Sequence, residues 1–183
     1  MIHASLKFEP TFKVLGEATN GLRKMTRDHG AFLGEQAEFF PGFEPAEGEH
    51  VVRERAGGSS VFVGTTLDGY LRNNRINEIY LSGFSLRQCV ESSMRNAHDL
   101  GYDTNVIYDA SAGYTRKQQD DFVAEIAPFY ANAITAQEFA AGHNPSLDPA
   151  RLWAGLSSVV DARRYDDRDD GRTHNRAGQY RRI

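Results

Sequence analysis

Apolar and polar residues change rhythm several times along this chain, and the changes divide it into short strands and amphipathic helices. Ile2 to Leu6 reads as a strand. From Phe8 to Glu49 no single period holds, and Pro10, Pro41, Pro45 and several glycines interrupt the stretch. A region that long is more than a connection, so short helices and part of a pocket wall are expected there. Val51-Val52 begins a second short strand. Thr65 is placed to cap a helix with Leu67, Tyr70 and Leu71 on its buried side and Asn73-Asn74 at its end. Ile79 to Leu81 and Asn105 to Tyr108 read as strands on either side of another helix. On that helix Cys89, Val90, Ser93, Met94 and Ala97 share one face, and Gly101 stops it. Thr115-x-x-Gln118 forms a capping box for a helix burying Phe122, Val123, Ile126, Phe129 and Tyr130, limited by Pro128. A short strand at Ala133-Ile134 leads into a second box, Thr135-x-x-Glu138. This alternation predicts an α/β fold whose mostly parallel sheet is covered on both faces, with its site at the carboxyl ends of strands.

Beyond that point Asp148-Pro149 makes an N-cap and N1 pair. Leu152, Trp153, Leu156, Val159 and Val160 follow at helical spacing, which predicts a helix over about 148–162. The chain therefore divides into a domain at 1–141 and a C-terminal extension at 142–183, ending in a polar tail with little to bury.

With 183 residues the chain can build one substantial core. No apolar run approaches membrane-spanning length and Met1 to Phe8 holds no secretory apolar stretch, so a cytoplasmic protein without a membrane partner is expected. A single cysteine cannot make an intrachain disulfide, which fits a reducing compartment. The net charge is −4, and seven Arg against five Asp between 161 and 183 leave the rest of the chain more acidic still. An acidic body argues against nucleic acid as the main partner.

That cysteine, Cys89, stands where a strand breaks into a helix after a polar elbow, Ser82 to Gln88. N–H groups of a helix's first turn and its positive dipole end attract the negative charge of a nucleophilic sulfur. A lone cysteine is more often a small buried hydrophobe than a nucleophile, so the residues by themselves favour the structural reading. The six histidines show no H-x-x-H or H-E-x-x-H spacing, so no metal is expected, and no other cofactor. Gly57-Gly58-Ser59-Ser60 lacks the G-K-[ST] of a phosphate loop and reads as a flexible loop. Asp109, closing a strand, suits a structural role such as accepting from loop amides. Phe39, Phe40 and Phe43 fit a pocket wall or an ordinary core contact.

The run strand, G-F-S-L-R-Q-C-V-E-S-S-M-R-x-A-x-x-x-G-Y, strand, D-A resembles the isochorismatase-like cysteine hydrolases. That superfamily includes nicotinamidases, N-carbamoyl-amine amidohydrolases, biuret hydrolases and isochorismatases. Upstream, Gly48 to Val52 and Phe62-Val63-Gly64-Thr65-Thr66-Leu67-Asp68 are similar to the family's third strand and its F-x-x-T-x-L helix start. Downstream, Asp109-Ala110 and Thr135 to Phe139 are similar to its closing segments. The resemblance covers roughly Ile2 to Ala141 and implies a Rossmann-like three-layer sandwich.

It also implies a chemistry. Cys89 would attack the carbonyl carbon of a small molecule's amide or related C–N bond and pass through a thioester. The cysteine favours this over the vinyl-ether chemistry of true isochorismatases. The oxyanion would be held by the backbone N–H groups of Cys89 and Ser85, the latter turned inward by a cis peptide between Phe84 and Ser85. The family's triad is Asp, Lys and Cys. Arg55 is the best positional match for the lysine, with Ala56 as a competing alignment. Arginine keeps the charge and can hold a carboxylate or carbonyl oxygen, but it cannot move protons; a solvated surface arginine is the plain alternative.

The family's first strand and its aspartate have no counterpart, because Ile2 to Ser5 resembles the second strand. Three explanations are open: a true start further upstream, a strand from another chain, or a returning C-terminal extension, where Leu156 to Arg163 faintly resembles the strand and Asp161 the aspartate. Two functions are therefore carried: a cysteine hydrolase acting on a small molecule, or a catalytically degenerate relative serving as a binding or assembly subunit. By the resemblance a homo-oligomer is expected.

Overall fold

A computed structural model of the protein describes residues 1–53, 55 and 57–142. Five strands run through it: β1 (Ile2–Ala4), β2 (His50–Val52), β3 (Glu78–Phe84), β4 (Asp103–Ala112) and β5 (Asn132–Ile134). The helices are α1 (Gly21–Asp28), α2 (Leu67–Asn73), α3 (Glu91–Asp99), α4 (Arg116–Asp121) and α5 (Ala136–Ala140). Every strand pairing among these residues is parallel. The strands form two sheets, β1-β2 and β3-β4-β5. The fold is thus the parallel α/β type that the alternation predicts, with its strands divided between two sheets. The proposed helix at 148–162 and the polar tail lie outside the described residues.

The core explains the order of the elements. Val52, Leu67, Leu71, Ala97 and Tyr102 pack together, joining β2, α2 and α3, with Ile2 and Ile79 against them. Leu86, Val90, Met94, Val106 and Phe122 form a second cluster that ties the start of the Cys89 helix to β4 and to the segment after α4. One helix therefore serves both clusters, Ala97 in the first and Val90 and Met94 in the second. Burying an aliphatic side chain is worth about 1.5–3 kcal/mol, so these positions dominate what fixes that helix. Its end is closed by Gly101 at φ +84, with the Tyr102 N–H donating to Ala97 O at 3.0 Å.

Several boundaries differ from the sequence expectation for local reasons. Thr66, not Thr65, holds the N-cap position of α2. Thr65 sits one residue earlier, donating to Val61 O at 2.7 Å and accepting from Leu67 N at 3.2 Å. Thr115 caps α4, but the Gln118 side chain accepts from Tyr114 N rather than completing the box. Thr135 and Glu138 make the full reciprocal box of α5. After α4 the chain passes through a widened turn, Phe122–Ile126, and a short tight helix at Ala127–Phe129. Pro128 in that tight turn rotates the face, leaving Phe129 exposed while Phe122 is fully buried.

Candidate active site

The site is assembled at the carboxyl end of β3. There β4 carries an irregularity: Leu81 pairs with Val106, but Gly83 pairs with Ser111. Three extra residues are thus looped out of β4, in the manner of a bulge. Ser111 Oγ fastens the loop, donating to Ile107 O at 2.8 Å and accepting from Gly83 N at 3.2 Å. Gln119 Nε2 donates to Tyr108 O at 2.7 Å. The longer β4 keeps β3 extended to Phe84, and the chain then turns through a cis peptide bond between Phe84 and Ser85.

Helix α3 is preceded by a wide turn, Leu86–Val90, that holds Cys89. Ser85 O accepts from Gln88 N at 3.1 Å and from Val90 N at 3.3 Å, straddling the Cys89 amide. Wide turns of this kind recur at functional sites. Leu86 and Val90 on either side are buried, while Cys89 is half-buried and unbridged. The sulfur is therefore not sealed among aliphatic side chains. It lines a cavity of about 530 Å³ together with the end of β1 (Ala4 to Leu6), Leu81 to Ser85, Arg55 and residues of α1. The region from Phe8 to Glu49 supplies much of the outer wall, including Met25, His29 and Phe32. Phe40 and Phe43 are exposed, and Phe39 faces a different hollow beneath Arg53. Phe84 and Tyr114 meet edge to face at 5.2 Å on the rim of the Cys89 cavity.

Arg55 is brought to the same wall. It is 7% exposed, donates from Nη1 to Ser59 O at 3.2 Å, and feels the Cys89 sulfur. Burial pulls its guanidinium below the ordinary arginine value, and the charge and hydrogen bonding of Cys89 pull it back up. The competing position, Ala56, lies outside the described residues. The Gly57–Ser60 stretch is a support more than a free loop. Gly57 has φ +74, and a Cβ there would stand 2.3 Å from Leu15 Cδ2. Ser60 is buried.

Ser93 joins the two halves, accepting from Val61 N at 3.0 Å and donating to Cys89 O at 2.6 Å. Its helical spacing alone marks it as a small core residue; nothing in the sequence signals the bond to Val61, which is a long-range contact. Asp109 takes the structural role expected of it, accepting from Ala136 N at the start of α5 at 2.7 Å. Glu38, which no motif in the sequence picks out, is the one carboxylate on the cavity wall among the described residues. It is occupied: hydrogen bonds from Lys7 and Arg53 hold it below the usual carboxylate range. Among the described residues no carboxylate is hydrogen-bonded to Cys89 or Arg55, and no group of three His, Cys, Asp or Glu is arranged to hold a metal.

What this arrangement can do chemically is limited and specific: a half-buried cysteine, a buried cation beside it, and the cis elbow at Phe84-Ser85, all lining one cavity. A family model for the isochorismatase domain matches residues 17–138. The chain is similar to an uncharacterized isochorismatase family protein, YwoC, of Bacillus subtilis, 33% identical over 110 residues, or 60% of this chain and 57% of that one. It is also similar to a nicotinamidase of Escherichia coli, 38% identical over 56 residues, covering 31% of this chain and 26% of that one. The chain thus spans little more than half the length of the first relative and about a quarter of the second. In fold it is similar to an isochorismatase family protein of Desulfovibrio vulgaris, with a TM-score of 0.67, 21% identity and 77% and 73% of the two chains covered.

Proposed function

Because the chain belongs to the isochorismatase family, we propose that it is a cysteine hydrolase that cleaves an amide or related C–N bond of a small molecule through a thioester at Cys89. The observation that carries this reading is the shared cavity: the sulfur of Cys89 and the guanidinium of Arg55 lie on one wall, at the carboxyl end of a parallel strand. Similarity to a nicotinamidase supports the choice of an amide.

The reaction runs in two displacements. The sulfur of Cys89 adds to the carbonyl carbon, and the oxyanion is received by the backbone N–H groups of Cys89 and Ser85. As the tetrahedral adduct collapses, the C–N bond breaks and the departing nitrogen leaves with the thiol's proton as ammonia or an amine. Water then adds to the thioester carbon, releasing a carboxylic acid and restoring the thiol. Arg55 stabilises negative charge on sulfur or oxygen throughout. It does not carry the protons, since a guanidinium stays protonated.

The second reading, a catalytically degenerate binding or assembly subunit, is favoured by a separate observation. No carboxylate among the described residues is bonded to Cys89 or Arg55. A general base is worth about 10²–10⁴-fold, so its lack would leave acylation without turnover. Ammonia release from a panel of small amides, with intact mass recorded in parallel, separates the two. Turnover that disappears in Cys89→Ser supports the hydrolase. A persistent acyl adduct without turnover, or neither adduct nor turnover, supports the degenerate relative.

A further inference from the structure

Three polar side-chain atoms of residues on the wall of the Cys89 cavity are buried without a hydrogen-bond partner among the described residues: Arg55 Nε, Ser85 Oγ and Ser5 Oγ. Arg55 is 7% exposed and Ser85 only 2%. Arginine is almost never this deeply buried unless an anion accompanies it, and an unsatisfied buried donor is costly. Apart from the Cys89 sulfur beside it, the described wall leaves Arg55 without an anion, because its one carboxylate, Glu38, is already held by Lys7 and Arg53. Serine hydroxyls that lack a partner can turn to donate to an incoming oxygen. Leu22, Met25, Phe32, Val61 and Leu81 give the rest of the wall a largely apolar surface, with His29, Gln36 and Gln88 among its polar groups. A cavity of about 530 Å³ lies within the range that holds small organic ligands.

We propose that Arg55 is a carboxylate-binding residue, so that the molecules this cavity accepts are small amides that themselves carry a carboxylate. The planar fork of a guanidinium matches the two oxygens of a carboxylate, and the bonds are charge-assisted. Arg55 is the one arginine or lysine on the described wall, and a single guanidinium balances a single negative charge. A phosphate would bring up to two negative charges to the same single cation. Ser5, just past the end of β1, and Ser85, just past the end of β3, approach the cavity from opposite sheets. Their free hydroxyls are placed to serve a ligand that bridges the break between those sheets. The choice of an amide rests on the hydrolase reading above; the carboxylate does not.

Calorimetric titration of the full chain carrying Cys89→Ser tests this without requiring turnover. The probes are succinamate, which has an amide and a carboxylate, succinamide, which has the same frame without the charge, and inorganic phosphate. Succinamate is expected to bind at least about tenfold more tightly than succinamide, as a charge-assisted pair would give. Adding Arg55→Gln should erase that difference, and Arg55→Lys should keep part of it. Should Arg55→Gln fail to fold, the ratio of the two amides with Arg55 in place decides alone. Equal affinities, no binding of either amide, or phosphate binding as tightly as succinamate would overturn the proposal. A chain that binds succinamate selectively yet releases no ammonia from any amide would instead refute the hydrolase reading and leave this one standing.

Discussion

Ser93 donates to the backbone of Cys89 and accepts from the backbone of Val61, so one hydroxyl sets the distance between the nucleophile's helix and the segment that follows Arg55. Ser93→Ala removes the acceptor of a buried N–H and is expected to cost about 1–3 kcal/mol, measured by urea unfolding. Ammonia release should fall as well, while the rate at which small reagents reach the sulfur changes little. Gly57 supports the same segment from behind. Its φ of +74 and the 2.3 Å separation between Leu15 Cδ2 and a methyl placed on Gly57 together predict that Gly57→Ala destabilises by about 1–3 kcal/mol. Leu15 is itself buried and has little room to yield. A Gly57→Ala chain with an unchanged urea midpoint would mean that this loop relaxes freely.

At the level of elements, the helix holding Cys89 is anchored by Leu86 and Met94, both fully buried. Met94→Ala should cost about 2–5 kcal/mol by thermal or urea unfolding, since it opens a cavity where β4 and the segment after α4 converge. β1 is tied differently. Glu49 accepts from Ala46 N and pairs with His3, and these contacts bring its carboxyl down to about 2, the backbone bond from Ala46 first among them. A depressed acid lends stability above its unfolded value and loses it as pH falls toward its folded one. The advantage of the native chain over Glu49→Gln should therefore be complete above about pH 4.5 and shrink progressively down to about pH 2, read from paired urea midpoints. A difference that did not vary with pH in that window would contradict the assignment.

Much of this level was legible in the sequence, because periodicity and capping are local. The face Val90, Ser93, Met94, Ala97 and the stop at Gly101 follow from spacing and from a glycine's tolerance of positive φ. The looped-out residues of β4 were not legible: they depend on Ser111 reaching Ile107 and Gly83, a pairing decided by neighbouring strands. The same holds for Phe129, whose apolar spacing fits a helix that Pro128 diverts. Of the site, Cys89 stood out by its position at a strand-to-helix junction and Arg55 by resemblance to a family pattern. Glu38 and Ser93 gave no signal, since both act through contacts distant in sequence.

Across the whole molecule, the residues that line the cavity come from strand ends of both parallel sheets. Ala4 to Leu6 arrive from the end of β1, Leu81 to Ser85 from β3, and the wall is completed by α1 and the Arg55 segment. No helix among the described residues is long and apolar enough to cross a membrane. The proposed chemistry depends on a sulfur that small molecules can reach and that a neighbouring cation favours in attack. Intact mass followed over time with iodoacetamide at neutral pH measures both at once. The predicted result is a single added carbamidomethyl group, placed on Cys89 faster than on an unstructured cysteine peptide under the same conditions. A sulfur that reacts no faster than the peptide would contradict the central claim.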